Sequence, residues 1–297
     1  MGGIKLLKDR RWLLIAVLAV AALTIWAGVL FCGQPQLSAT FLDVGDGLCA
    51  VVRTPGGKTM VFDCGTSSWR KCDTVGEKLV APYLQSLGVD TIDVAVLSHP
   101  HADHVSGYAG LLTLKPAKLV VDLGCDHTSH YYREFLDAVD KCGAKYRKAT
   151  RGQIIDFGDG VTATVLNPSG DRDYGNLNNQ SIALRLTYRN TAFLLAADTE
   201  AEAERYMLGT NLDFSAQVLQ VGHHGSETSS TLDWLQAVRP KIAVISCARK
   251  SEYNNPDEEV VERLQQVGAR LYVTGKHGAI TITTDGQTID VRAHCNP

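Results

Sequence analysis

The stretch VLSHPHADHVSGY, Val96–Tyr108, places three histidines and an aspartate (His99, His101, Asp103 and His104) within six residues. It continues an apolar run, TIDVAVLS (Thr91–Ser98), of the kind that forms a strand buried on both faces. In a chain leaving a strand, residues two apart point the same way, so His99 and His101 converge on one point. Asp103 and His104 lie further round the bend and project toward a second. Imidazole and carboxylate together suit zinc, manganese or iron and not calcium. The stretch therefore predicts a metal site at the end of a central strand. Whether it serves one ion or two stays open at this point.

Strand and helix signals alternate on either side of it. QLSATFLDV and LCAVVRTPGGKTMVFDCG read as strands, with a turn at Pro55–Gly57, and GEKLVAPYLQSLG reads as a helix ending at Gly88. GYAGLLTL and YYREFLDAVDKCG are helical, and KLVVDL between them is a strand. GVTATVLNP, SIALRLTYRN and TAFLLAAD read as three further strands. AQVLQVGHHGSETSSTLDWLQAV then repeats the earlier order: apolar strand, histidine-bearing loop, helix. Two similar halves of interleaved strands and helices predict an α/β architecture with functional loops at strand ends.

SHPHADHVSG resembles the His-x-His-x-Asp-His signature of the metallo-β-lactamase-fold hydrolases. FLDVGDG, RTPGGKTMVFDCG, NNQSIALRL, FLLAADTEAEAE, VLQVGHHGSETSS and GAITITTDG are similar, in order, to the ComEC-type branch, the hydrolase domain of the DNA-uptake channel and its free-standing relatives. The resemblance implies an αββα sandwich holding two divalent ions, zinc first and manganese second. His99 and His101 would bind the first ion, Asp103 and His104 the second, and Asp198 would bridge them. Asp63 matches a residue behind the ligands that orients a ligand histidine. His224 is expected to reach the metals. Asp103, His223 and His224 carry the expected catalytic roles, orienting the attacking water and protonating the leaving group. Ser226 and Thr228 are expected either to bond a substrate oxygen or to cap a helix starting near Ser230.

The chain departs from the family pattern in three places. No third histidine lies in SGDRDYGNLNNQ (Ser169–Gln180), so either an asparagine such as Asn178, read as a residue supporting the ligands, stands in or the site stays open. Asn255 replaces a histidine that usually precedes a proline. Leu48 replaces an acidic residue.

The N-terminus carries a different signal. Trp12–Phe31 is 20 residues without a formal charge, preceded by Lys5, Lys8, Arg10 and Arg11. That is long enough to cross a bilayer, and the flanking cations keep the N-terminus inside. Residues 1–11 are read as a cytoplasmic basic tail, 12–31 as a transmembrane signal anchor and 36–294 as the hydrolase domain, placed outside the cytoplasm. A cleaved signal peptide is the competing reading. Without the four cations and one acid of residues 1–32, the remainder carries a formal charge of −6. This argues against a generally basic nucleic-acid surface, though not against a local groove. The eight cysteines show no zinc-ribbon spacing; Cys64 with Cys72, or Cys125 with Cys142, are candidate pairs, and free buried thiols the alternative.

The expected function is metal-dependent hydrolysis of a phosphodiester, with exported DNA the leading substrate. The membrane is the expected partner of the N-terminal helix; no protein partner is inferred. A cell-wall polymer phosphodiesterase, a lactonase or β-lactamase, and a non-catalytic binding module are the alternatives.

Overall fold

A computed structural model describes residues 11–22, 36–68, 72–170 and 174–295. Leu37–Pro297 forms one compact unit and Met1–Gln36 another. In the smaller unit, residues 11–22 are helical, with Trp12, Leu13, Leu14, Ile15, Val17, Leu18 and Val20 exposed. No helix among the described residues is long and apolar enough to cross a membrane. Residues 23–31 of the expected anchor and 1–10 of the basic tail lie outside the described residues.

The larger unit is built on two sheets, described here strand by strand. The first half supplies β1 (Leu37–Phe41), β2 (Ala50–Arg53), β3 (Thr59–Phe62), β4 (Ile92–Val96), β5 (Ala117–Asp122) and β6 (Lys145–Lys148). The second half supplies β7 (Ile154–Gly158), β8 (Val161–Asn167), β9 (Ala183–Tyr188), β10 (Thr191–Leu195), β11 (Val218–Gln220), β12 (Ile242–Ile245) and β13 (Arg270–Val273). Two last strands, β14 (Ile280–Thr284) and β15 (Ile289–Ala293), return to the first sheet. The strand orders are β15-β14-β1-β2-β3-β4-β5-β6 and β13-β12-β11-β10-β9-β8-β7.

Each half makes the same change of direction. β1, β2 and β3 are antiparallel, and β3 through β6 run parallel. Likewise β7 to β10 are antiparallel, and β10 through β13 run parallel. Parallel strands need crossovers, and the helices that supply them cover the outer faces. Helices Tyr108–Leu114 and His130–Cys142 pack Leu111 and Phe135 against Val61, Ala95 and Leu97. Helices Ala201–Leu208, Leu232–Val238 and Glu258–Gln266 pack Met207, Trp234 and Leu264 against Leu194, Leu219 and Ala243. The inner faces meet through Phe41, Val94, Val96, Phe193 and Val218. This is the αββα sandwich the sequence predicts.

The carboxyl ends of β3, β4, β10, β11 and β12 open on one edge, where ligands bind in open α/β sheets. The Leu48 side chain is fully buried in the core between the sheets. Neither candidate disulfide forms, and the free-thiol reading holds: Cys64, Cys72, Cys125 and Cys142 are free, with Cys72 Sγ 3.0 Å from the Tyr131 hydroxyl. The helix expected from Ser230 begins at Leu232, and Thr231 caps it by accepting from the Trp234 amide. Ser226 and Thr228 therefore do not cap it.

Candidate metal centre

The histidine-rich stretch leaves β4 extended and then coils. His101 is the extended residue before a single helical turn, Ala102–Val105, that carries Asp103 and His104. That turn is why the two pairs project differently. It is locked from below by backbone bonds, Leu48 N–H to Asp103 O (3.0 Å) and Cys64 N–H to His104 O (2.8 Å). Gly65 is obligatory here, because a Cβ on it would overlap the Asp103 carbonyl carbon and the His104 nitrogen.

Three other strand ends close the site. Asp198 follows β10 and is buried; its Oδ2 lies 3.2 Å from His104 Nε2 and 3.8 Å from His99 Nε2. His223 and His224 follow β11 in consecutive left-handed conformations, φ 47° and 55°. Asp63, at the end of β3, and Ala197, beside Asp198, are also left-handed, at φ 57° and 49°. Strain of this kind, about 1–3 kcal/mol per residue, persists where the surroundings over-determine the geometry.

The ring nitrogens of His99, His104 and His224 that face away from the site are satisfied. His104 Nδ1 meets Asp63 Oδ2 at 2.8 Å, and His224 Nδ1 donates to the Ser246 carbonyl at 2.8 Å. His99 Nδ1 sits 3.0 Å from Ser98 Oγ and 3.2 Å from Ser181 Oγ. The inward nitrogens have only one another and the carboxylates. His99 Nε2 is 2.9 Å from His101 Nδ1, and His104 Nε2 is 3.3 Å from His224 Nε2. Ligand atoms of Asp103, His104, Asp198 and His224 all lie within 4.8 Å of one another. Asp198 Oδ1 is buried without a hydrogen-bond partner.

The charges of this cluster call for a cation. Burial opposes protonation of His104 and His224. Even so, Asp198 and Asp103 hold His104 well above the usual imidazole range and push His224 up to about 9. Burial also favours neutral carboxyls, yet the same histidines hold Asp103 and Asp198 well below the carboxylate range. Burial, reinforced by the charge of His104, holds His99 well below its usual value; burial lowers His101 too. A neutral imidazole pair beside the buried Asp198, the partly exposed Asp103 and two proton-loaded imidazoles is a set that divalent ions fit, taking the place of protons. His99 and His101 converge on one position, and Asp103, His104 and His224 on another, with Asp198 within reach of both.

Of the other expected residues, His223 lies beside the cluster, with Nε2 3.9 Å from Asp198 Oδ2 and Nδ1 3.1 Å from Glu200 Oε1. Asn178 Nδ2 is 3.3 Å from His223 Nε2. A cavity of about 550 Å³ opens over the site, with Ser226, Asn178 and Asn255 in its wall. Thr228 is not part of that lining: its hydroxyl donates to Glu200 at 3.1 Å and lies 3.1 Å from His223 Nδ1. Sequence reasoning missed Glu200, Ser98, Ser181, Ser246 and Asp46. Asp46 lines the cavity and accepts the Ala248 and Glu252 amides at 3.0 and 3.1 Å, two residues before Leu48. The one available signal was Glu200's place two residues after Asp198.

The class follows from this fold and donor set together. The family model for the metallo-beta-lactamase superfamily matches residues 42–249, and the chain belongs to that family of metal-dependent hydrolases. Within it, the chain falls with a branch of competence and recombination proteins. It is 28% identical over 261 residues to ComE operon protein 3 of Bacillus subtilis, covering 84% of this chain and 33% of that one. It is 29% identical over 248 residues to competence protein ComA of Neisseria gonorrhoeae, covering 83% and 32%. The chain thus spans about a third of the length of these curated relatives. Among solved structures, a metallo hydrolase of Ignicoccus hospitalis shares the fold at a TM-score of 0.54 and 16% identity, covering 82% of this chain and 98% of that one. The metallo-beta-lactamase fold protein YhfI of Bacillus subtilis shares it at 0.53 and 13%, covering 84% and 100%.

Proposed function

We propose that this chain is a phosphodiesterase that cleaves DNA strands, exported and held at the membrane by its residue 12–31 segment. The observation that carries the reading is that the similarity to competence proteins runs across 83–84% of the chain and includes a complete His-x-His-x-Asp-His stretch. The anchor rests on the uncharged run and the cations before it.

His99, His101, Asp103, His104, Asp198 and His224 would hold divalent ions, and such ions would supply Lewis acidity toward the attacked phosphorus and the attacking water. The protein's own groups do the rest. Asp103, whose Oδ2 lies 3.2 Å from His224 Nε2, would orient the water. Asp63 and the Ser246 carbonyl fix the rings of His104 and His224, so that both turn Nε2 inward. His223, partly exposed at the cavity and bonded through Nδ1 to Glu200, presents Nε2 as the group that hands a proton to the leaving oxygen.

The test is a substrate panel on the purified, metal-loaded chain: bis(p-nitrophenyl) phosphate, single- and double-stranded DNA, and a set of lactones. Turnover of the diester and of DNA is expected. Cleavage of lactones alone would overturn the phosphodiester assignment while leaving the metal hydrolase intact.

A further inference from the structure

The family's third histidine is missing from this chain, and the segment that replaces it is the asparagine-rich turn Asn176–Gln180. The turn is part of the site wall. Ser181, which follows it, lies 3.2 Å from His99 Nδ1, and Asn178 lines the cavity beside His101, Asp198 and His223.

The three asparagines differ in what they have left to give. Asn176 uses its oxygen to cap the turn, accepting the Asn178 amide at 2.8 Å, and its Nδ2 to bond Glu200 Oε2 at 2.7 Å. Asn179 accepts the Glu200 and Ala203 amides at 3.0 and 3.2 Å, and its Nδ2 also reaches Glu200 Oε2, at 3.3 Å. Both are fully committed. Asn178 gives its Nδ2 to Glu200 Oε1 at 3.4 Å and to His223 Nε2 at 3.3 Å, while its Oδ1 is buried with no partner. The orientation of that amide is fixed by its neighbours. Glu200 accepts only, so the amide turns its Nδ2 toward Glu200 Oε1. Turning the amide over would set its oxygen against the Glu200 carboxylate.

A buried carbonyl oxygen without a partner costs about 1–3 kcal/mol. Here the oxygen belongs to a residue that lines the cavity over a centre whose first position has two imidazoles and a share of Asp198. We infer that the Asn178 amide oxygen is the protein ligand that closes the metal position begun by His99 and His101, and that Glu200 is the positioning residue that aims it. The centre then holds two ions with an oxygen donor where the family pattern has a nitrogen. Asn178 thus moves from the supporting role read in the sequence to a ligand.

Metal binding by the full chain tests this without reference to turnover. The metal-free protein is titrated with zinc against a chromophoric chelator, and bound equivalents are counted. Two equivalents are expected. Asn178→Ala should weaken one of them tenfold or more, and Glu200→Gln should weaken the same one by about 10–100-fold, the usual effect of losing a group that orients a ligand. Asn178→His, with its new nitrogen donor, should retain both. Two equivalents at undiminished affinity in Asn178→Ala would overturn the inference, as would a single equivalent in the parent chain. If Asn178→Ala does not fold, undiminished binding in Glu200→Gln contradicts the inference in its place. A variant that keeps its metals but raises KM for bis(p-nitrophenyl) phosphate would make Asn178 a substrate contact, which also overturns it.

Discussion

Asp63 shows how much of this centre is decided one residue behind its ligands. It is fully buried, accepts Ser98 N–H and Oγ–H at 2.7 Å each, and fixes His104 Nδ1 at 2.8 Å. Asp63→Asn keeps the shape but sets an amide N–H against groups that donate. Metal affinity should fall about 10–100-fold with the fold retained, read by metal titration and circular dichroism; unchanged affinity would remove Asp63 from the centre. The ligands themselves were legible in the sequence, because four of them fall in six residues and need only strand geometry to be read. Their supports were not. Ser181 reaches His99 across 82 residues and Ser246 reaches His224 across 22, and no local pattern announces either contact. Glu200 was hidden for the same reason, since a glutamate before a helix has ordinary local uses.

At the scale of elements, buried carboxylates and exposed strands make opposite demands. Glu204, on helix Ala201–Leu208, is buried and accepts the Ser230 and Thr231 amides and the Thr231 hydroxyl, tying that helix to the segment that follows the paired histidines. Burial outweighs those bonds and pushes its pKa up to about 7. A carboxyl raised in the folded state binds its proton more tightly there than in the unfolded chain. Its contribution is therefore full below about pH 4.5 and is lost as pH rises through 7. Denaturant unfolding should show the parent chain losing on the order of 3 kcal/mol more than Glu204→Gln between pH 4.5 and 8. Equal losses in the two proteins would remove Glu204 as the cause.

β6 faces the reverse problem. It is an edge strand, KYRK, with all four side chains exposed, so no hydrophobic period marked it as a strand. Lys145, Arg147 and Lys148 give that edge the charge that discourages pairing with another chain. Replacing all three with threonine should produce concentration-dependent association in light scattering, with the monomeric fold otherwise kept. A variant that stays monomeric at high concentration would show that the edge is protected by something else. β4 and β11, by contrast, are buried along their length and were legible as apolar runs ahead of histidines.

Over the whole molecule, the site exists because two halves with the same change of strand direction bring their carboxyl ends to one edge. The first half contributes His99, His101, Asp103 and His104, and the second Asp198, His223 and His224. The paired architecture was legible because the strand–histidine–helix order occurs twice in the sequence. The way the two halves interlock, with β14 and β15 returning to the first sheet, was not, since it depends on pairing β1 with a strand more than 200 residues away. A centre assembled from both halves couples metal to folding. Ions at 100 times their dissociation constant should stabilise the chain by about 2.7 kcal/mol.

The most direct measurement is turnover of bis(p-nitrophenyl) phosphate by the purified chain as isolated, after chelation, and after zinc or manganese is restored, with His101→Ala carried alongside. Activity should vanish on chelation, return with metal, and be absent from His101→Ala, whose fold is intact and whose metal content is reduced. Turnover that survives complete metal removal, or full activity in His101→Ala, would contradict the account.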